Sequence, residues 1–92
     1  MRRHLDIRVT GRVQGVCFRA CAEEEANRLG LGGFVRNERD RSVYIEAEGE
    51  ESDLQAFVQW CHHGPPDAVV REVAVEDGPV RHFESFGVTF AP

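Results

Sequence analysis

At 92 residues the chain is about 0.6 of a ~150-residue domain, so one domain over residues 1–92 is expected, with no second lobe to close a cleft. Sixteen acidic residues stand against eleven basic ones, for a net charge of −5, and every basic residue is arginine. The absence of lysine excludes a Walker-type phosphate loop, a Schiff-base lysine and a serine–lysine dyad, and the acidic balance argues against nucleic acid as a partner.

His4 to Val9 alternates, with Leu5, Ile7 and Val9 on one face and His4, Asp6 and Arg8 on the other, which predicts a half-buried first strand. It ends at Thr10-Gly11 and gives way to a loop over residues 11–16. From Phe18 to Leu29 the period turns helical, with Phe18, Cys21 or Ala22, Glu25 or Ala26, and Leu29 recurring at three and four residues. Glu23-Glu24-Glu25 reads as a solvated face on the first turns, favourable to the helix dipole, and Gly30 as the glycine that stops the helix. Residues 33–37 and 42–48 predict two further strands around a polar hairpin turn, Glu38-Arg39-Asp40-Arg41. Ser52-x-x-Gln55 reads as a capping box that opens a second helix with the stripe Leu54, Phe57, Val58 and Cys61. Gly64-Pro65-Pro66 ends that helix. Val69 or Val70, Val73 and Val75 suggest a fourth strand of ambiguous register, and Phe83, Phe86, Val88 and Phe90 a fifth.

The order strand–helix–strand–strand–helix–strand predicts an α+β fold. It is the split βαβ, ferredoxin-like sandwich, a mostly antiparallel sheet with both helices on one face and the other face left to solvent. No apolar run is long enough to cross a membrane, and Met1-Arg2-Arg3 leads into alternation, not into an apolar signal segment. The odd set Cys17, Cys21 and Cys61 fits free thiols in a reducing compartment, so a cytoplasmic location is expected.

The stretch Gly11-Arg12-Val13-Gln14-Gly15-Val16-Cys17-Phe18-Arg19 runs from strand to helix. Its glycines allow a tight turn whose successive N–H groups converge on an anion, and the helix adds unpaired N–H groups and the positive end of its dipole. Arg19 supplies a planar fork suited to phosphate or carboxylate. On spacing alone, an ordinary connection carrying surface arginines explains the stretch better, because isolated glycine-rich turns are common. Asn37, which the topology brings to the same side of the sheet, reads by itself as a turn residue bonding the backbone. A Cys-x5-Arg phosphatase thiol is excluded, because Glu23, Asn27 and Asp67 lie six residues beyond the three cysteines. His62-His63 lacks a third ligand at recognisable spacing, so no metal site is expected. Gly32-Gly33-Phe34-Val35 faintly echoes an RNA-binding strand motif, against which stand the acidic balance and a lack of neighbouring aromatics.

Val9-x-Gly11-Arg12-Val13-Gln14-Gly15-Val16-x-Phe18-Arg19 closely resembles the first signature of the acylphosphatases, and Gly33-Phe34-Val35-Arg36-Asn37, followed by Val43 and Gly49, their second. The likeness covers essentially the whole chain, including Gly64-Pro65-Pro66. It implies a ferredoxin-like fold and a monomeric enzyme that hydrolyses carboxyl–phosphate anhydrides such as acetyl phosphate, with no metal or other cofactor and with small acyl phosphates as its partners. By motif position, Arg19 matches the phosphate-binding arginine and Asn37 the asparagine that positions the attacking water. The backbone of Gln14, Gly15, Val16, Cys17, Phe18 and Arg19 matches the phosphate cradle. The family pattern expects glycine where Arg41 stands, so either an arginine sits at φ > 0, at a cost of about 1 kcal/mol, or the turn is of another type. Two rivals stand beside this reading: a non-catalytic small-anion-binding regulatory module on the same fold, and a domain of a larger carbamoyl-phosphate machine. Intact Arg19 and Asn37 argue against the first. The end of the chain at Pro92, with no zinc-finger cysteines, favours a free-standing enzyme over the second.

Overall fold

A computed structural model describes residues 1–90. Its elements run β1 (Arg2–Arg12), α1 (Phe18–Arg28), β2 (Gly32–Asn37), β3 (Val43–Glu50), α2 (Glu51–Cys61), β4 (Val69–Gly78) and β5 (Phe86–Val88). The strands form one sheet in the order β4-β1-β3-β2-β5. Neighbours are antiparallel except for β5, which lies parallel to β2. Leu5, Ile7 and Val9 of β1, Val43 and Ile45 of β3 and Val35 of β2 face the helices and share one core with Phe18, Ala22 and Ala26 of α1 and Leu54 and Phe57 of α2. Emptying a buried ring position such as Phe57 costs about 3–5 kcal/mol. The helical stripe resolves in favour of Ala22 and Ala26, which are fully buried, over Cys21 and Glu25. Gly30 (φ 72) closes α1 as expected: its N–H donates to Asn27 O and that of Leu31 to Ala26 O, the paired bonds of a Schellman motif.

Several expectations are corrected. β1 does not stop at Thr10 but continues to Arg12 through a bulge at Thr10/Gly11. There Gly11 passes so close to β4 that a side-chain carbon would lie 2.2 Å from Val69 O. Ser52-x-x-Gln55 is not a capping box: β3 runs straight into α2, the N-cap is Glu50 with no side-chain cap, and Ser52 lies inside the helix. The acidic run of α1 contributes nothing to its first turn, and Glu25 instead pairs with Arg28 at 2.5 Å. The fifth strand shrinks to Phe86–Val88.

The sheet face away from the helices is also not simply solvated. Residues 79–85 cross it, and His4, Glu46 and Glu48 are buried there. Glu48 accepts from Arg2 Nη2 (3.2 Å) and Phe83 N–H (3.0 Å) on one oxygen, and from His4 Nδ1 (2.7 Å) and Arg81 N–H on the other. Burial pushes its carboxyl pKa up, but the bonds from Arg81 N–H, His4, Phe83 N–H and Arg2 outweigh that and hold it down at about 2. Aromatics do neighbour Phe34, contrary to expectation, with Tyr44 at 6.0 Å and Phe83 at 5.9 Å between ring centroids. The glycine pair before Phe34 has a packing reason: a side-chain carbon on Gly33 (φ 136) would lie 1.8 Å from Glu46 O.

Candidate active site

Beyond Arg12 the chain turns back toward the sheet. Gly15 (φ 74) and Cys17 (φ 65) are left-handed, and Val16 between them is not. Such alternation of hand points successive N–H groups toward one centre. The first bond of α1 runs from Cys21 N–H to Cys17 O (3.1 Å), so the N–H groups of residues 18–20 have no partner inside the helix. Cys17 is the N-cap, and no side chain caps the helix. An uncapped N-terminus of this kind offers a set of donors and a positive dipole end to an anion.

Arg19 lies on the first turn. Its guanidinium carbon sits 5.2 Å from the ring centroid of Phe90, and among the described residues it makes no ion pair. Arg12, Arg41 and Arg71 likewise make no ion pair among the described residues but do not line the cleft described below, whereas Arg8 and Arg36 on the sheet are engaged. Arg36 Nε donates to Glu38 at 2.9 Å, and Arg8 Nη1 donates to Ser42 Oγ at 2.9 Å with Glu38 Oε1 at 3.8 Å. A guanidinium without a carboxylate keeps its whole fork for a ligand.

Asn37 is the last residue of β2, opposite Val43 on β3, and its side chain bonds no described residue. The turn role expected of it belongs to other groups. Glu38 N–H donates to Ser42 O (2.9 Å) and Arg41 N–H to Glu38 O (3.1 Å), while Ser42 gives Asp40 both its N–H and its hydroxyl. Those Ser42 bonds hold the Asp40 carboxyl below the usual carboxylate range. Arg41 has φ 78, so the first of the two turn alternatives holds: an arginine occupies the left-handed position of a three-residue hairpin loop. Gln14 ties the hairpin to the loop, its side-chain amide donating to Glu38 O (2.8 Å) and Ser42 O (2.9 Å).

A cleft of about 240 Å³ brings these parts together, lined by Gly15, Cys17, Phe18, Arg19 and Ala20 from loop and helix and by Asn37 from β2. Val13, Val88 and Phe90 make its apolar wall. Gln14 and Val16 do not line it; Gln14 braces the hairpin and Val16 packs against the core. Sequence reasoning missed Val88 and Phe90. Their alternation marks a strand, but nothing in it says that β5 would lie beside β2, next to Asn37. Cys17 sits exposed at the rim, while burial, with the charge of Glu25 second, pushes the Cys61 thiol pKa well up. His62 and His63 stay exposed at the end of α2, where His63 Nδ1 meets Gln59 O at 3.1 Å.

The acylphosphatase family model matches residues 5–88. An acylphosphatase of Nocardioides sp. is 52% identical over 88 residues, covering 96% of this chain and 89% of that protein. Among solved structures, the acylphosphatase from Bacillus subtilis superposes with a TM-score of 0.92 at 37% identity, covering 97% of this chain and 99% of that one. The acylphosphatase from Coxiella burnetii gives 0.93 at 33% identity, covering 96% and 93%.

Proposed function

The chain belongs to the acylphosphatase family and hydrolyses the carboxyl–phosphate bond of acyl phosphates, and we propose that Arg19, Asn37 and the loop amides do this work. In the proposed ground state the phosphoryl oxygens lie against the Arg19 fork and the N–H groups of residues 15–19. Phosphoryl transfer to water passes through a loose transition state with charge spread over those oxygens, so positioning and electrostatics supply nearly all of the catalysis. Donors aimed at that charge gain strength as it redistributes. The Asn37 amide holds a water in line with phosphorus. The reaction needs no strong base, because the departing carboxylate is already a good leaving group, and for the same reason the mechanism calls for no Lewis acid.

The observation that carries this reading is one cleft holding both an uncapped helix N-terminus with an Arg19 that makes no ion pair among the described residues and an Asn37 side chain that bonds none of them. We also propose a single-domain monomer acting in the cytoplasm. Three free thiols support the compartment, and charged residues along the edge strand β4 (Arg71, Glu72, Glu76, Asp77) disfavour edge-to-edge pairing. The test is hydrolysis of acetyl phosphate, carbamoyl phosphate and a phosphate monoester in the presence of EDTA. Turnover of the two anhydrides and not of the ester, undiminished by chelation, is expected. A requirement for added Mg²⁺ or Zn²⁺ contradicts the mechanism.

A further inference from the structure

The sheet face away from the helices carries a second polar site, roughly 25 Å along β1 from the phosphate loop. His4 and Asp6 alternate onto this face from β1. Opposite them on β3 stand Glu48, paired with His4, and Glu46, paired with Asp6. His4 is almost fully buried, in space left by Gly78, where a side-chain carbon would lie 2.9 Å from the His4 ring. Its Nδ1 meets Glu48 Oε2 at 2.7 Å. An ionised carboxylate only accepts, so Nδ1 carries the proton.

The ring's other nitrogen, Nε2, faces two more acceptors, Asp6 Oδ1 at 2.9 Å and Glu46 Oε1 at 3.1 Å. Nε2 and the two carboxylate oxygens, three potential metal-ligand atoms, lie within 4.8 Å of one another. A proton on Nε2 can serve only one of the two oxygens well. Asp6 takes that bond, and Glu46 Oε1 is left buried and without a hydrogen bond, although the other oxygen of Glu46 accepts from Tyr44 OH at 2.7 Å. A divalent cation contacts all three at once, and tetrahedral zinc with bonds of about 2.0–2.1 Å spaces its ligand atoms roughly 3.3 Å apart. The histidine is already oriented by a carboxylate on its far nitrogen, the usual outer-shell partner of a metal-bound imidazole.

We propose that His4 Nε2, Asp6 Oδ1 and Glu46 Oε1 form a binding site for a zinc-class divalent cation, with Glu48 and Tyr44 orienting the ligands. Asp6 and Glu76, cross-strand partners on β1 and β4, line an adjoining open groove, which supplies the entry path and a fourth position for water or Glu76. Arg81 Nε pairs with Glu46 Oε1 at 3.8 Å, beyond hydrogen-bond distance, from a side chain that is more than half exposed. This site is separate from the acyl phosphate cleft, and its ligands play no part in the proposed hydrolysis.

Calorimetric titration of the chelator-treated full chain with Zn²⁺ at neutral pH tests the assignment and reads binding independently of turnover. One saturable equivalent is expected, weakened at least about tenfold in Asp6→Asn and in Glu46→Gln, and unchanged in His62→Ala/His63→Ala. Co²⁺ in place of Zn²⁺ should show a visible absorption band that Asp6→Asn removes. Asp6 is partly exposed, so this variant keeps the test valid if Glu46→Gln does not fold. Absence of saturable binding at millimolar Zn²⁺, undiminished binding in Asp6→Asn, or loss of binding in the His62/His63 variant overturns the proposal.

Discussion

At the Arg12 end of β1 the loop leaves its donors open. The helix has no side-chain cap, and among the described residues Arg19 has no carboxylate and the Asn37 amide no bond. At the Arg2 end Glu48, fully buried, is instead saturated, accepting from Arg2, His4, Arg81 N–H and Phe83 N–H, although its neighbour Glu46 keeps Oε1 without a hydrogen bond. The two ends of β1 thus adjoin polar groups that saturate one another and polar groups kept unmatched. Matched groups secure the fold. Unmatched ones are costly unless a ligand or water completes them.

The largest expected effect lies at the open end. Arg19→Ala removes a charged, bidentate donor, and kcat/KM for acetyl phosphate should fall by about 10³-fold with the thermal midpoint almost unmoved. Arg19→Lys should rescue little of it, because a point charge cannot replace the fork. A stability loss without a kinetic one would break the contrast.

Glu48→Gln should behave in the reverse way. An amide has one accepting atom where Glu48 uses two, so its NH₂ would face donors. We expect a cost of about 3 kcal/mol in the denaturant midpoint with kcat unchanged in the folded fraction. A fall in kcat at full foldedness would show the two ends to be coupled.

Gln14→Ala sharpens the comparison, because Gln14 joins loop to hairpin through two carbonyls. Losing those bonds should cost about 1–2 kcal/mol and lower kcat/KM by about tenfold, since the loop and Asn37 lose a common brace. Unaltered kinetics would confine Gln14 to the fold.

The smallest effect concerns strain that serves no ligand. Cys17 and Arg41 are both left-handed, but only Cys17 lines the cleft. Arg41→Gly should raise the denaturant midpoint by up to about 1 kcal/mol and leave turnover alone, the relief of φ > 0 being partly offset by a looser unfolded chain. A lowered midpoint would mean that the left-handed arginine carries no strain.

Much of this was legible in the chain. Alternation over Leu5, Ile7 and Val9 gave the buried face of β1, and Gly30 the end of α1, because both signals are local and survive folding unchanged. Ser52-x-x-Gln55 misled because β3 enters α2 without a loop, which moves the cap to Glu50. The cover over His4 and Glu48 was hidden for another reason: its parts lie more than thirty residues apart and meet only once residues 79–85 cross the sheet. For the cleft, the motif resemblance named Arg19 and Asn37, whereas Val88 and Phe90 needed the position of β5. That Asp40, three residues after Asn37, takes the side-chain bonds of the turn from Ser42 could not be read from the sequence.

The central claim is that Arg19 binds the phosphoryl group and Asn37 serves only the chemical step. Steady-state kinetics of Asn37→Ala, with inorganic phosphate as inhibitor, test it most directly. The account predicts kcat and kcat/KM falling together by about 10²-fold, with KM, the phosphate inhibition constant and the melting point all close to those of the parent chain. Asn37→Asp should do no better, since a carboxylate repels the phosphoryl group. Unchanged kcat alongside a lowered melting point would contradict the account and make Asn37 a residue of the fold alone.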